Sequence, residues 1–167
     1  MKYALITSVL VATSPQIATA QDSFDIGPTE RCLSSAVSAQ DKSVCVGEAA
    51  SACADLSLGG FSTRSMTGCL GLELAYFDDL LNAEYGKVRD QARALDQAEN
   101  GTSFDDTSMT DRLIQMQRAW IAFRDATCAY ERRQYDGGSI GDLVYMDCQT
   151  QLTADQAFRL QDSVLGL

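Results

Sequence analysis

The stretch Gln117-Arg118-Ala119-Trp120-Ile121-Ala122-Phe123-Arg124-Asp125-Ala126-Thr127-Cys128 holds the chain's only Trp, an apolar pattern at helical spacing, an Arg inside that pattern and a cysteine. At 3.6 residues per turn, Leu113, Met116, Trp120, Phe123, Thr127 and Tyr130 recur at steps of three and four. The stretch therefore predicts the middle of a core helix with those residues on its buried face. Arg124 falls within that face. A guanidinium keeps its charge and is costly to bury alone. Arg124 thus requires either a carboxylate partner or an apolar bed for its stem with the head in water.

Towards the N-terminus, Met66, Leu70, Leu74, Phe77, Leu81, Tyr85, Val88, Ala92 and Leu95 step by three and four, the strongest periodic signal in the chain. It predicts a helix over about residues 64 to 97, about 50 Å long, with Ser62 or Thr63 as its cap. Asp78, Asp79, Asn82, Lys87, Arg89, Asp90 and Arg93 lie on its other side and read as a solvated face. Asn100-Gly101 opens a polar loop to Thr107, long enough for the chain to reverse, and Thr110 is a candidate cap for the core helix. Gly59-Gly60 and Gly137-Gly138 are breaks.

The outer segments carry shorter patterns. Thr29 can cap a short helix through Cys32, Ala36 and Val37, and small residues between Cys45 and Cys53 suit a second one. Cys148 reads as lying in a loop. Thr153 with Gln156 forms a capping-box pattern for a last short helix carrying Ala157, Leu160 and Val164. Two prolines in 167 residues, long periodic stretches and few alternating β-branched runs point to helices rather than a sheet. The expected fold is all-α: one disulfide-stapled domain built on two long antiparallel helices, plus short N- and C-terminal helices.

Residues 1–20 read as a signal peptide: Lys2, the apolar run Ala4 to Ala12, then Ala18-Thr19-Ala20 at the cleavage site, leaving residues 21–167 as a single mature domain beginning at Gln21. The apolar run is too short to span a bilayer, and no cysteine follows the cleavage site to take a lipid anchor. A periplasmic or secreted location follows. The net charge of −10 becomes more negative once Lys2 is removed, which disfavours nucleic acid and anionic membranes and favours cationic partners.

Six cysteines, Cys32, Cys45, Cys53, Cys69, Cys128 and Cys148, are an even count with no Cys-x-x-Cys pair, so three disulfides are expected. Cys128 with Cys148 is the preferred pair, because the chain turns at Gly137-Gly138 and folds back on the helix end. Cys53 with Cys69 and Cys32 with Cys45 are the nearest-neighbour pairings for the rest. The chain has no His, so zinc sites and Ser-His or Cys-His machinery are not expected. Neither catalysis nor a cofactor is expected.

If the two long helices are antiparallel with Cys69 and Cys128 at one end, Phe77 lies level with Trp120, Leu81 with Met116 and Glu73 with Arg124. Glu73 flanks its apolar stripe and is the expected ion-pair partner of Arg124. Asp78 and Asn82, one turn apart, can present a polar patch or brace a neighbouring segment, and Asp125 can bond a nearby loop.

Several features in order resemble the N-terminal domain family of the lysozyme inhibitor LprI. They are Ser62-Thr63, Met66, Cys69, Glu73, Asp78 with Leu81-Asn82 and Tyr85, Gln117 to Ile121 including Trp120, Phe123 to Ala126 including Asp125, Cys128, Gly137-Gly138, Cys148 and Leu152-Thr153. The resemblance covers about residues 45–162. Gln156 stands where many members carry a basic residue. The resemblance implies a helical, disulfide-bonded exported domain, and by analogy the inhibition of a basic lysozyme-type wall hydrolase. It marks no inhibitory residue. The alternative is a non-catalytic structural or scaffold domain with another envelope partner.

Overall fold

The computed structural model describes residues 24–57, 59–98 and 106–162. Among these residues the regular elements are all helices: α1 (Gly27–Ser35), α2 (Ala39–Ser43), α3 (Glu48–Leu56), α4 (Thr63–Ala98), α5 (Met109–Arg133) and α6 (Ser139–Asp162). The expected signal peptide, the Asn100-Gly101 turn and Val164 lie outside the described residues. No described helix is long and apolar enough to cross a membrane.

The 36-residue α4 follows its periodicity closely. Cys69, Leu70, Glu73, Phe77, Leu81, Glu84, Val88 and Ala92 form its buried stripe. Ser62 begins it, its Oγ accepting from Ser65 N at 3.2 Å. At the other end Asp96 ties α4 to α5. Its carboxylate accepts from Met109 N at 2.7 Å, Thr110 N at 3.0 Å and Thr110 Oγ1 at 2.6 Å. Thr110 is therefore not the cap; Ser108 is, accepting from Asp111 N at 3.0 Å. Thr29 likewise lies inside α1 and is buried, with Pro28 in the first turn.

The main departure is α6. Cys148 is not in a loop and Thr153 caps nothing, because one helix of 24 residues runs from Ser139 through both. It follows a tight reversal in which Asp136 and Gly137 take positive φ of 45° and 79°. Gly141 then crosses the Arg132 carbonyl, where a Cβ would sit 3.2 Å from the oxygen. Helix α6 packs most extensively on α4 and also lies against α5. Its buried positions are Gly141, Cys148, Gln149, Thr150, Thr153, Ala154, Gln156, Ala157, Phe158 and Leu160. Small side chains let the α6 backbone come close to α4, and Thr150 returns its hydroxyl proton to its own Met146 carbonyl at 2.8 Å, so a polar residue enters the core at little cost.

Helix α6 thus takes the position that a two-helix register assigns to α5. Phe77 meets Phe158 edge to face, with centroids 5.9 Å apart and planes at 89°, in a cluster with Val46 and Ala154. Trp120 instead packs beside the cluster of Leu81, Val88, Ala92, Leu113, Ala157 and Leu160. A third cluster joins Ala50 and Ala54 of α3 to Cys69 and Leu70 of α4.

Disulfides join Cys32 to Cys45, Cys53 to Cys69 and Cys128 to Cys148, with Cα separations of 5.5, 5.8 and 5.5 Å. Each closes a modest loop, worth on the order of 3 kcal/mol in the chain-entropy picture. The first ties α1 to the turn before α3, the second α3 to α4, and the third α5 to α6.

Smallness at the α4–α6 contact is testable. Ala154→Leu, at a site with no exposure, is expected to cost about 1–3 kcal/mol by overpacking. Ala126→Leu on the exposed side of α5 is expected to stay within about 0.5 kcal/mol. Urea unfolding of the oxidised proteins measures both. For Asp96, hydrogen bonding, chiefly from the Thr110 hydroxyl, holds its carboxyl below the ordinary value. A depressed folded pKa stabilises above the unfolded pKa and is lost as the pH falls through the folded one. Asp96→Asn should therefore narrow the Tm difference between neutral and strongly acid solution relative to the wild type, as thermal scans across that range would read.

Candidate binding surface

Glu73 and Arg124 do not meet. Glu73 is fully buried and faces α1 and α3. Its Oε1 accepts from the Thr29 hydroxyl at 2.6 Å and Gly47 N at 3.0 Å, and its Oε2 from Ala50 N at 2.9 Å. Thr29 Oγ1 in turn accepts from Ala49 N at 3.0 Å. Gly47, the N-cap of α3, has no side chain to cap with. Glu73 of α4 and Thr29 of α1 supply from a distance the acceptors that a Ser or Asp at that position would have supplied locally. A negative group at this end also complements the helix dipole.

Arg124 takes the other course open to a guanidinium. Its side chain is 17% exposed. Nε and Nη2 donate to Asp125 Oδ1 at 3.0 and 2.9 Å, Nη1 donates to Thr153 Oγ1 at 3.2 Å, and the group lies 5.0 Å from the Trp120 ring centroid. Gln149 Nε2 reaches the same Asp125 oxygen at 3.5 Å. Gln156 donates to Gln117 Oε1 at 3.0 Å. The motif residues Trp120 and Asp125 thus belong to a polar clamp that joins α5 to α6. On α4, Asn82 donates to Asp78 at 3.2 Å, and both are exposed. Tyr85 packs against the core, with the Arg89 guanidinium 5.9 Å from its ring centroid.

The face read as buried on α5 is buried only in part. Leu113 is in the core, while Met116, Phe123 and Tyr130 are 39%, 58% and 71% exposed. At i, i+7 and i+14 they make an apolar stripe along the outside of the helix.

Three surface grooves accompany these elements. The first, about 450 Å³, lies between α3, α4 and α6 and is lined by Val46, Met66, Leu70 and Val144, with Glu48 and Asp147 among its other walls. The second, about 320 Å³, includes Glu30, Lys42, Tyr76 and Phe158. The third, about 280 Å³, lies beside the stripe between Trp120, Phe123, Asp155 and Arg159. Desolvation, and then the charge of Glu131, push the Asp147 carboxyl above its ordinary value. Desolvation first, then Glu30, raise the Tyr76 phenol.

All six cysteines are paired. Among the described residues no group of three or more Cys, Asp or Glu is gathered as a metal site would need. These surfaces offer apolar contact and charge. The sequence did not disclose the Glu73 cap, although Gly47 ahead of a helix without its own capping side chain was a signal that an acceptor must arrive from elsewhere.

Glu73→Gln puts an amide donor against backbone N–H groups and is expected to cost about 3 kcal/mol. Asp125→Asn, at the partly exposed clamp, is expected to cost about 1 kcal/mol or less. Denaturant midpoints of the two variants, with disulfides intact, test the ranking.

No solved structure matches the chain. It is similar to a Rhodobacter capsulatus protein described as an uncharacterized 17.7 kDa protein in the puhA 5' region, 24% identical over 143 residues that span 83% of this chain and 85% of that one. The family described as lysozyme inhibitor LprI matches residues 53–160, well over half of the sequence and the span that holds the Cys53–Cys69 and Cys128–Cys148 bridges. With its helices, bridges and motif residues all within or beside that span, the chain belongs to the LprI lysozyme inhibitor family.

Proposed function

We propose that the mature chain, released at Gln21 from a signal peptide of residues 1–20, is an exported binding protein that blocks a cationic lysozyme-type wall hydrolase and performs no chemistry of its own. The observation that carries this reading is the family match over residues 53–160. The molecule's physical character supports it. Three disulfides suit an oxidising compartment outside the cytoplasm. A net charge of −10, made more negative by the loss of Lys2, attracts a basic enzyme over distance. The helices that present its surface are tied to one another covalently, so little ordering is lost on binding.

The alternative, a structural domain for another envelope partner, draws on the exposed Met116, Phe123 and Tyr130 stripe, which has no counterpart in a purely electrostatic encounter.

The test is the lysis of a bacterial wall suspension by lysozymes of several classes with excess mature protein. Slowed lysis is expected, and it should weaken with added salt as the attraction is screened over about 8 Å at physiological ionic strength. Undiminished lysis with every enzyme, together with no complex in gel filtration, would leave only the structural reading.

A further inference from the structure

We infer that the groove between α3, α4 and α6 is where a basic protein partner docks, an apolar side chain entering the groove and a neighbouring lysine or arginine meeting Glu48 and Asp147. This rests on the inhibitor reading and adds to it the face that makes contact.

Three observations single out this groove. It is the largest of the three described, about 450 Å³, with Val46, Met66, Leu70 and Val144 offering apolar surface. Its charge has one sign. Glu48 and Asp147 line it and no Lys or Arg does, whereas the second groove mixes Glu30 with Lys42 and the third mixes Asp155 with Arg159. These carboxylates are also uncommitted. Among the described residues, no ion pair involves Glu48, Asp147 or the nearby Glu131. Glu48 is not needed to cap α3, since Glu73 and Thr29 already hold the N–H groups of Gly47, Ala49 and Ala50.

Desolvation, and then the like charge of Glu131, raise the Asp147 carboxyl, and a cation seated there offsets both. The walls are also held in place before a partner arrives. Cys53–Cys69 fixes α3 to α4, and Cys128–Cys148 fixes α6 one residue beyond Asp147. An ammonium or guanidinium with an apolar neighbour is the ligand chemistry that such a site recognises.

The experiment titrates the oxidised mature protein with a basic c-type lysozyme in low salt. The double variant E48Q/D147N is expected to weaken binding roughly tenfold or more, while D79N/D90N, which removes the same charge from exposed positions on the far side of α4, changes it by less than about threefold. Ser51→Trp, at an exposed position that lines the groove, is expected to obstruct it and abolish the complex. Circular dichroism confirms that each variant is folded. Equal affinity for wild type, E48Q/D147N and S51W overturns the groove while leaving the inhibitor reading intact.

If the wild type binds no lysozyme, that reading falls and a second probe decides the groove. Methyl NMR with a short peptide of alternating lysine and leucine is expected to shift Val46, Leu70 and Val144 in the wild type and not in E48Q/D147N. Unmoved methyls there overturn the groove as well.

Discussion

A carboxylate with no cation paired to it among the described residues holds α1 and α3 to α4. Glu73 is enclosed where α1, α3 and α4 converge, and its three donors come from three places: a hydroxyl on α1, the N-cap amide of α3 and an amide in the first turn of α3. Isolated helices as short as α1 and α3, nine residues each, are marginal in water. They persist here because the free N–H groups of α3 have a fixed acceptor to find, and because two disulfides keep the segment beside it. Covalent tether and buried acceptor do different work. The bridges limit where the segment can wander, and the carboxylate sets its orientation.

The long helices were legible because their apolar positions are large and recur on one stripe. From Met66 to Leu95 the sequence marks α4 nearly to its ends, and the observed buried stripe of Leu70, Phe77, Leu81, Val88 and Ala92 falls within that reading. The reading of α6 failed for the opposite reason. Its buried face is made largely of Thr150, Thr153, Ala154, Gln156 and Ala157, residues that a hydrophobicity pattern treats as weak or polar. They are core residues because α4 comes close enough that only small side chains fit, and because each buried polar group finds a partner. Periodicity detects the size of what is buried. It does not detect closeness.

The misreading of α5 follows from that of α6. With a third long helix in the bundle, α5 needs only Leu113, Cys128 and the flank of Trp120 to join the core, and the remaining apolar positions turn outward. Arg124 shows what the sequence settled and what it left open. That it would have a partner and keep its stem covered followed from the chemistry of the guanidinium. Which carboxylate it would take depended on a helix the sequence did not reveal. The neighbouring Asp125 serves, with Thr153 and the face of Trp120 completing its surroundings. Glu73 was left free for the backbone of α3. The motif residues on α5 therefore secure one helix to another, and the two carboxylates of the candidate docking groove, Glu48 and Asp147, are residues that the sequence reading did not single out.

The order of the disulfides along the chain has a consequence for how the protein is made. Each bridge joins cysteines that are consecutive in sequence, with separations of 13, 16 and 20 residues, so no bridge encloses or crosses another. A chain that emerges N-terminus first presents one native pair before the first thiol of the next pair has appeared. Joining the thiols in order of appearance then gives the correct bonds without reshuffling.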